Sequence, residues 1–456
     1  MTLKIQPSDS RGWEDEFHPM GEQLGLKEAV AMALGGMIGG GIYSAFGIVV
    51  AVSGKIAWLA FAIAGFVAMC AGYSYVQLNE LTSDKGGAPT YIEEVVDNST
   101  VAGMTGWTLL FGYIGSMALY AYAFSSFFTE MLGRLHYMGV SLPKIVSVLL
   151  IAAFVGLNLM GASKTGKAED VLTFFKILVI GVFGVWGVWY SFNVQKLTFG
   201  FSAVSFSPIV GAAMSFVAFQ GWQLLMYDQS QFENPVENIR KAIYISIPVA
   251  TLLYVLVAFT TVSLLEISVI AVAPEVSLLY AALPYMGRIG AFVIGISALF
   301  STASAVNATL FSGAQFSQTL IDEGMLPERF SPDGDQEVPS KIVVVLGVLS
   351  AAFAVYGSLS SITSFASLAF IAVFGGMSYL AFRERDDIDG LVTPLPVVGV
   401  VGTAAFFPLL LYNLYLNSPG TFYLVILISV LVIGSELLYF ERGPIGSAIP
   451  GFSNDD

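Results

Sequence analysis

Three groups of residues in this 456-residue chain have the types and spacing to do chemistry in an apolar setting. The first is GGMIGGGIY, residues 35 to 43, with five glycines in the seven positions from Gly35 to Gly41. Each glycine costs about 1 kcal/mol of helix propensity relative to alanine, so the stretch predicts an unwound segment inside a helical run. The second is Gly221, between Gln220 and Trp222 in SPIVGAAMSFVAFQGWQLLMYD, residues 207 to 228, which predicts another break. Unwinding frees backbone groups that hydrocarbon cannot satisfy, and it is tolerated only where it lines a cavity or a ligand. Half-helix N-termini attract a carboxylate, and freed carbonyls attract an ammonium or a metal cation. A zwitterion bearing both groups on one carbon suits that arrangement. The third is Lys176, a charge within the run from 171 to 190. An ammonium at such depth costs about 3 kcal/mol or more, which marks a functional residue unless the side chain snorkels to the interface.

Membrane-spanning helices have to position these groups. The chain is 56% hydrophobic and 11% charged, with a mean hydropathy of +0.76, which excludes both a water-soluble globule and a disordered chain. A spanning helix needs about 20 apolar residues and a spanning strand about 10 alternating ones. Uncharged runs cover 29 to 54, 56 to 79, 98 to 129, 145 to 163, 197 to 227, 242 to 265 and 289 to 321. Two longer runs, 342 to 382 and 390 to 435, each hold two spans around turn-forming centres, and 171 to 190 brings the total to twelve. The glycine breaks fall in spans 1 and 6, corresponding places in two halves, as expected of a transporter site at the bilayer midplane.

With the N-terminus inside, thirteen of the 19 basic residues fall in cytoplasmic loops and five outside, which predicts both termini cytoplasmic. The carboxylates crowd the same face, and the net charge of −14 argues against a nucleic-acid partner. Residues 1 to 25 carry no leader pattern. Asp228, near the inner end of span 6, reads as a solvated cap, because carboxylates prefer water.

Four motifs in order resemble the amino acid, polyamine and organocation permeases (APC family), over roughly residues 25 to 440. GGMIGGGIY is similar to that family's span 1 signature and GGAPTYIEEV, residues 86 to 95, to the opening before span 3. AFQGWQ, 218 to 223, with ENPVENIRKAI, 233 to 243, resembles the span 6 pattern, and SAVNATLFSGAQFSQTLIDEGMLPERF, 304 to 330, resembles span 8. The resemblance implies an all-α, LeuT-like fold of about twelve transmembrane helices: a core at 25 to 382 built from inverted repeats (25 to 191 and 200 to 382) of five spans each, two peripheral helices at 383 to 441, and cytoplasmic tails at 1 to 24 and 442 to 456. It further implies that backbone at Ile38, Gly39, Gly40 and Gly41 holds a substrate carboxylate. Carbonyls near Met37 and around Phe216, Val217 and Phe219 take the amine, and Phe216, Phe219 and Trp222 contact the side chain or gate it. Lys176 stands where a coupling sodium ion sits in related transporters, with Ser301, Thr302 and Ser304 as oxygen partners. Gln223 replaces a glutamate frequent in the family, Ser230 and Gln231 replace an acidic pair, and Gln315 replaces a basic residue. Those departures remove a span 6 carboxylate and favour a neutral or hydrophobic substrate.

The expected function is import of an α-amino acid across the plasma membrane by alternating access, coupled to H+ or Na+, with no resident cofactor and no enzymatic step. An amino acid or polyamine exchanger and a transport-inactive receptor on the same scaffold are the alternatives. His18 and His136 lie apart with no metal-ligand spacing, no nucleophile elbow or phosphate loop is present, and the lone Cys70 forms no internal disulfide. Sequence leaves the oligomeric state open.

Overall fold

The computed structural model describes residues 24–82, 87–133, 141–161, 166–200, 206–331 and 339–440. The N-terminal segment with His18, the loop with His136 and the C-terminal tail lie outside these residues. Among the described residues, fourteen α-helices follow in chain order. The first half contains α1 (Leu26–Ser53), α2 (Ala57–Thr82), α3 (Ala88–Val96), α4 (Ser99–Met131), α5 (Leu142–Leu159) and α6 (Gly166–Asn193). The second contains α7 (Ser207–Ser215), α8 (Pro235–Leu264), α9 (Ile267–Val272), α10 (Ser277–Asp322), α11 (Ser340–Tyr356) and α12 (Leu359–Arg383). Last come α13 (Pro394–Asn417) and α14 (Pro419–Phe440).

Among the described residues, nine helical stretches are long and apolar enough to cross a membrane. The first, Leu26–Thr82, holds both α1 and α2, which turn at Gly54 where φ is 63°. Counting α1 and α2 separately and adding the shorter apolar helices α11 and α14 recovers the twelve spans. Both halves follow one order. Short α3 stands between the second and third spans of the first half, and α9 with the start of α10 stands at the same place in the second. The long α10 bends at Gly287, whose φ is 66°, so its first ten residues form an arm ahead of the span.

Burial decides where α1 runs. It is enclosed by α6, α7, α8 and α10, and residues Met37 to Phe46 are buried without interruption. Peripheral α13 packs on α2 and α12, while α14 lies on α4 and α13. The apolar side chains of α6 at Phe174, Leu178, Val185, Trp189 and Phe192 point outward, as a lipid-facing helix requires.

Here the structure departs from expectation. The glycine-rich stretch is not unwound, and α1 is helical from Leu26 to Ser53. Its glycines instead admit neighbours. A Cβ on Gly40 would lie 2.0 Å from the Tyr120 ring, one on Gly41 2.6 Å from the Ala218 backbone, and one on Gly36 2.9 Å from Gly221 Cα. On the opposite flank Gly35 faces Thr173 of α6 and Gly39 faces Ala305 of α10. Five glycines cost the helix about 1 kcal/mol each, but unwinding it would strand amides worth several kcal/mol apiece. Close packing therefore takes the place of the expected unwinding.

Candidate functional site

The second expected break is present. α7 ends at Ser215, a 3-10 turn covers Phe216–Phe219, Gln220 is extended (φ −81°, ψ 156°), and Gly221 takes φ 126° before a second 3-10 turn, Trp222–Met226. Only glycine adopts φ 126° without strain. A Cβ there would also meet the Gly36 carbonyl carbon at 2.6 Å, so backbone packs on backbone where α1 passes the break.

Four backbone groups at the break are met by side chains, as hydrocarbon demands. Gly221 N–H donates to Gln223 Oε1 at 2.7 Å, and Gln223 Nε2 donates to Gln220 Oε1 at 3.1 Å. Gln220 Nε2 in turn donates to Tyr120 Oη on α4. Ser367 of α12 accepts from Val217 N at 3.1 Å and donates to the Met214 carbonyl at 2.8 Å. Tyr254 of α8 donates toward the Ala218 carbonyl at 3.0 Å and the Met37 carbonyl at 2.8 Å. The polar lining is therefore amides, phenols and one serine.

The nine substrate-site residues expected from sequence are all buried, but they do not all converge. Met37 and Gly41 of α1 meet the break through Tyr254 and Ala218. Ile38, Gly39 and Gly40 lie within the unbroken helix, so their amides are engaged along α1 rather than released for a carboxylate. Val217 faces α12 through its amide. Phe219 packs on Tyr254 with ring centroids 5.2 Å apart. Phe216 turns the other way, onto Phe374 and Phe406, where it serves packing between α7, α12 and α13. Trp222 packs against Tyr75 and Phe374, centroids 5.1 and 5.0 Å away, and among the described residues neither its Nε1 nor the Tyr75 hydroxyl has a hydrogen-bond partner.

Lys176 is 1% exposed, which rules out a snorkelling lysine in this conformation. Its Nζ donates to Ser304 Oγ on α10, and Ser304 Oγ donates to the Ser301 carbonyl at 3.2 Å. Thr173, one turn before Lys176, abuts Gly35, and the Ser301 carbonyl lies beside Gly39, so the pair lies along α1. Thr302 instead bonds the Ala298 carbonyl of its own helix at 2.7 Å, and Ser301 Oγ is buried without a partner. Of the three hydroxyls expected near Lys176, Ser304 alone bonds it directly.

Asp228 departs from the solvated cap read from its position: it is 4% exposed and accepts from Gln231 Nε2 at 3.1 Å. Nearby, Asn79 Oδ1 accepts from both Tyr91 Oη and Gln229 Nε2 at 2.7 Å. The backbone of Leu24 pairs with the segment after the break, donating to the Gln231 carbonyl at 2.8 Å and accepting from Glu233 N at 2.9 Å. The start of α1 and the end of the broken helix are thus tied together.

Sequence reasoning passed over Tyr254, Tyr120, Ser367 and the capping role of Gln223. The available signal was weak: each is a polar residue in an apolar span, a category this chain holds many of.

The model of the amino acid permease family matches residues 24–435. The inner membrane transport protein YbaT of Escherichia coli is 28% identical, with 91% of this chain and 94% of that protein covered. The serine/threonine exchanger SteT of Bacillus subtilis is 23% identical over 68% of this chain and 71% of its own length. Among solved structures, a manganese transporter from Eremococcus coleocola superposes with a TM-score of 0.58 over 92% of this chain and 94% of that one, at 14% identity, a likeness of fold alone.

Proposed function

This chain belongs to the amino acid permease family, and from that premise we propose that it is a secondary transporter, not an enzyme, importing a neutral or hydrophobic α-amino acid by alternating access. The observation that carries this reading is the break at Gly221, where the freed Ala218 carbonyl faces α1 in a buried setting lined by uncharged side chains. Carbonyl oxygens suit an ammonium. The absence of a carboxylate at Gln220 and Gln223 disfavours a cationic substrate side chain, whose charge would stay unpaired.

The carboxylate subsite needs donors, and α1 in its continuous form keeps the amides of Ile38 to Gly41 occupied. Substrate binding in this reading therefore unwinds α1 locally at its glycines, which cost the least to remodel. The site residues are packed from every side, so access from either face requires α1 and the broken helix to part from their neighbours.

Coupling is assigned to Lys176. A buried ammonium on Ser304, lying along α1, is placed to trade its charge against an entering cation or to release a proton as α1 moves. The basic-residue bias supports cytoplasmic termini, and the plasma membrane is the location this reading assigns. Proteoliposome uptake of an amino acid panel, with proton and sodium gradients imposed separately, tests the proposal. Uptake only when the opposite face is preloaded with amino acid would indicate exchange, the mode named for SteT.

A further inference from the structure

Tyr254 ties α1 to the broken helix through one oxygen. Its hydroxyl lies 2.8 Å from the Met37 carbonyl oxygen and 3.0 Å from that of Ala218, and all three residues are fully buried. Its ring stands edge-on to Phe61 and Phe219, with centroids 5.8 and 5.2 Å away. The ring that carries the hydroxyl therefore packs on Phe219, itself part of the broken segment. Had the 3-10 turn continued, the Ala218 carbonyl would have received the Gly221 amide, but Gln223 Oε1 holds that amide. The break releases the carbonyl and Tyr254 takes it.

A hydroxyl has one hydrogen to give, and two acceptors face it here. One carbonyl is thus served at less than full strength. A primary ammonium has three hydrogens, and its charge makes each bond about twice as strong as a neutral one. It can satisfy both oxygens at once.

We propose that Tyr254 holds the place of the substrate's ammonium: its hydroxyl and the ammonium exclude one another at the Met37 and Ala218 carbonyls, so that binding displaces the hydroxyl and loosens the tie between α1 and the break. This rests on the amino acid reading above. Tyr254 is then a specificity residue. A zwitterion outcompetes the hydroxyl for those oxygens, whereas a carboxylic acid of the same shape leaves the tie intact.

The test is binding to purified full-length protein of L-leucine and L-alanine, each paired with its amine-free acid, isocaproate and propionate. Tyr254→Phe removes the competitor and leaves the Ala218 carbonyl without its hydroxyl donor and the Met37 carbonyl with its helical donor alone. Kd for the amino acids should fall about tenfold, the worth of one net hydrogen bond, with Kd for the acids unchanged. Equal shifts for acid and amino acid, or unchanged or weaker amino acid binding, would overturn the proposal, because a tie that is only structural does not distinguish the pair. If wild-type protein fails to prefer either amino acid over its acid, the amino acid reading itself falls. Should Tyr254→Phe not fold, a wild-type structure with L-leucine bound decides: nitrogen on both carbonyls with Oη withdrawn supports the proposal, and Oη still bonded to both overturns it.

Discussion

Burying the Lys176 ammonium is costly unless polar groups meet it, and the Ser304 hydroxyl is one that does. Lys176→Met keeps the length and discards the charge. That variant is expected to fold with unchanged or raised Tm and to lose the pH dependence of uptake; retention of the wild-type pH profile would exclude Lys176 from coupling. Ser304→Ala removes that one acceptor from the buried ammonium and should destabilise by about 1–3 kcal/mol, read as a lower Tm in detergent. At Gln223, replacement by leucine strands the Gly221 amide and Gln220 Oε1 together, with a similar cost of about 1–3 kcal/mol and slower uptake. The lysine was legible from sequence because a charge in an apolar run announces itself. Its choice of Ser304 over Ser301 and Thr302 was not, since three hydroxyls within about one helical turn differ mainly in rotation about the helix axis, which packing fixes.

The two glycine-marked helices show how far local propensity reaches. At Gly221 the expectation was right because a left-handed φ and a backbone neighbour leave room for no other residue. At residues 35 to 41 the same reasoning failed. Propensity measures each residue against water, whereas in hydrocarbon the amides have no other partner and tight neighbours reward the missing side chains. Tyr254 was illegible for a related reason: its role depends on α8 presenting it to a carbonyl that exists only because another helix is broken. Alanine at the two glycines should therefore act through different causes. Gly221→Ala adds about 1–3 kcal/mol of backbone strain besides the contact with Gly36, and should abolish uptake while lowering Tm. Gly40→Ala keeps a good helix former but drives Cβ into Tyr120, so its loss of Tm should be relieved in part by Tyr120→Leu, although that second change also removes the partner of Gln220.

At the scale of the whole molecule, the composition that first marked a membrane protein resolves into two halves of one element order with a pair of helices outside them. The orientation is testable because Cys70 is buried and silent to bulky thiol reagents. With a membrane-impermeant maleimide on intact cells, Lys196→Cys should label directly and Lys341→Cys only after permeabilisation; both positions are exposed, and the reverse pattern would invert the topology. The central claim concerns transport through the buried break. Purified protein in proteoliposomes, offered labelled L-leucine and L-alanine under an inward proton gradient, an inward sodium gradient or amino acid preloading, measures it most directly. Saturable uptake of a neutral amino acid that requires at least one of these conditions and disappears in Gly221→Ala is the predicted result. No saturable uptake or exchange of any amine-bearing substrate by the folded wild-type protein would contradict it.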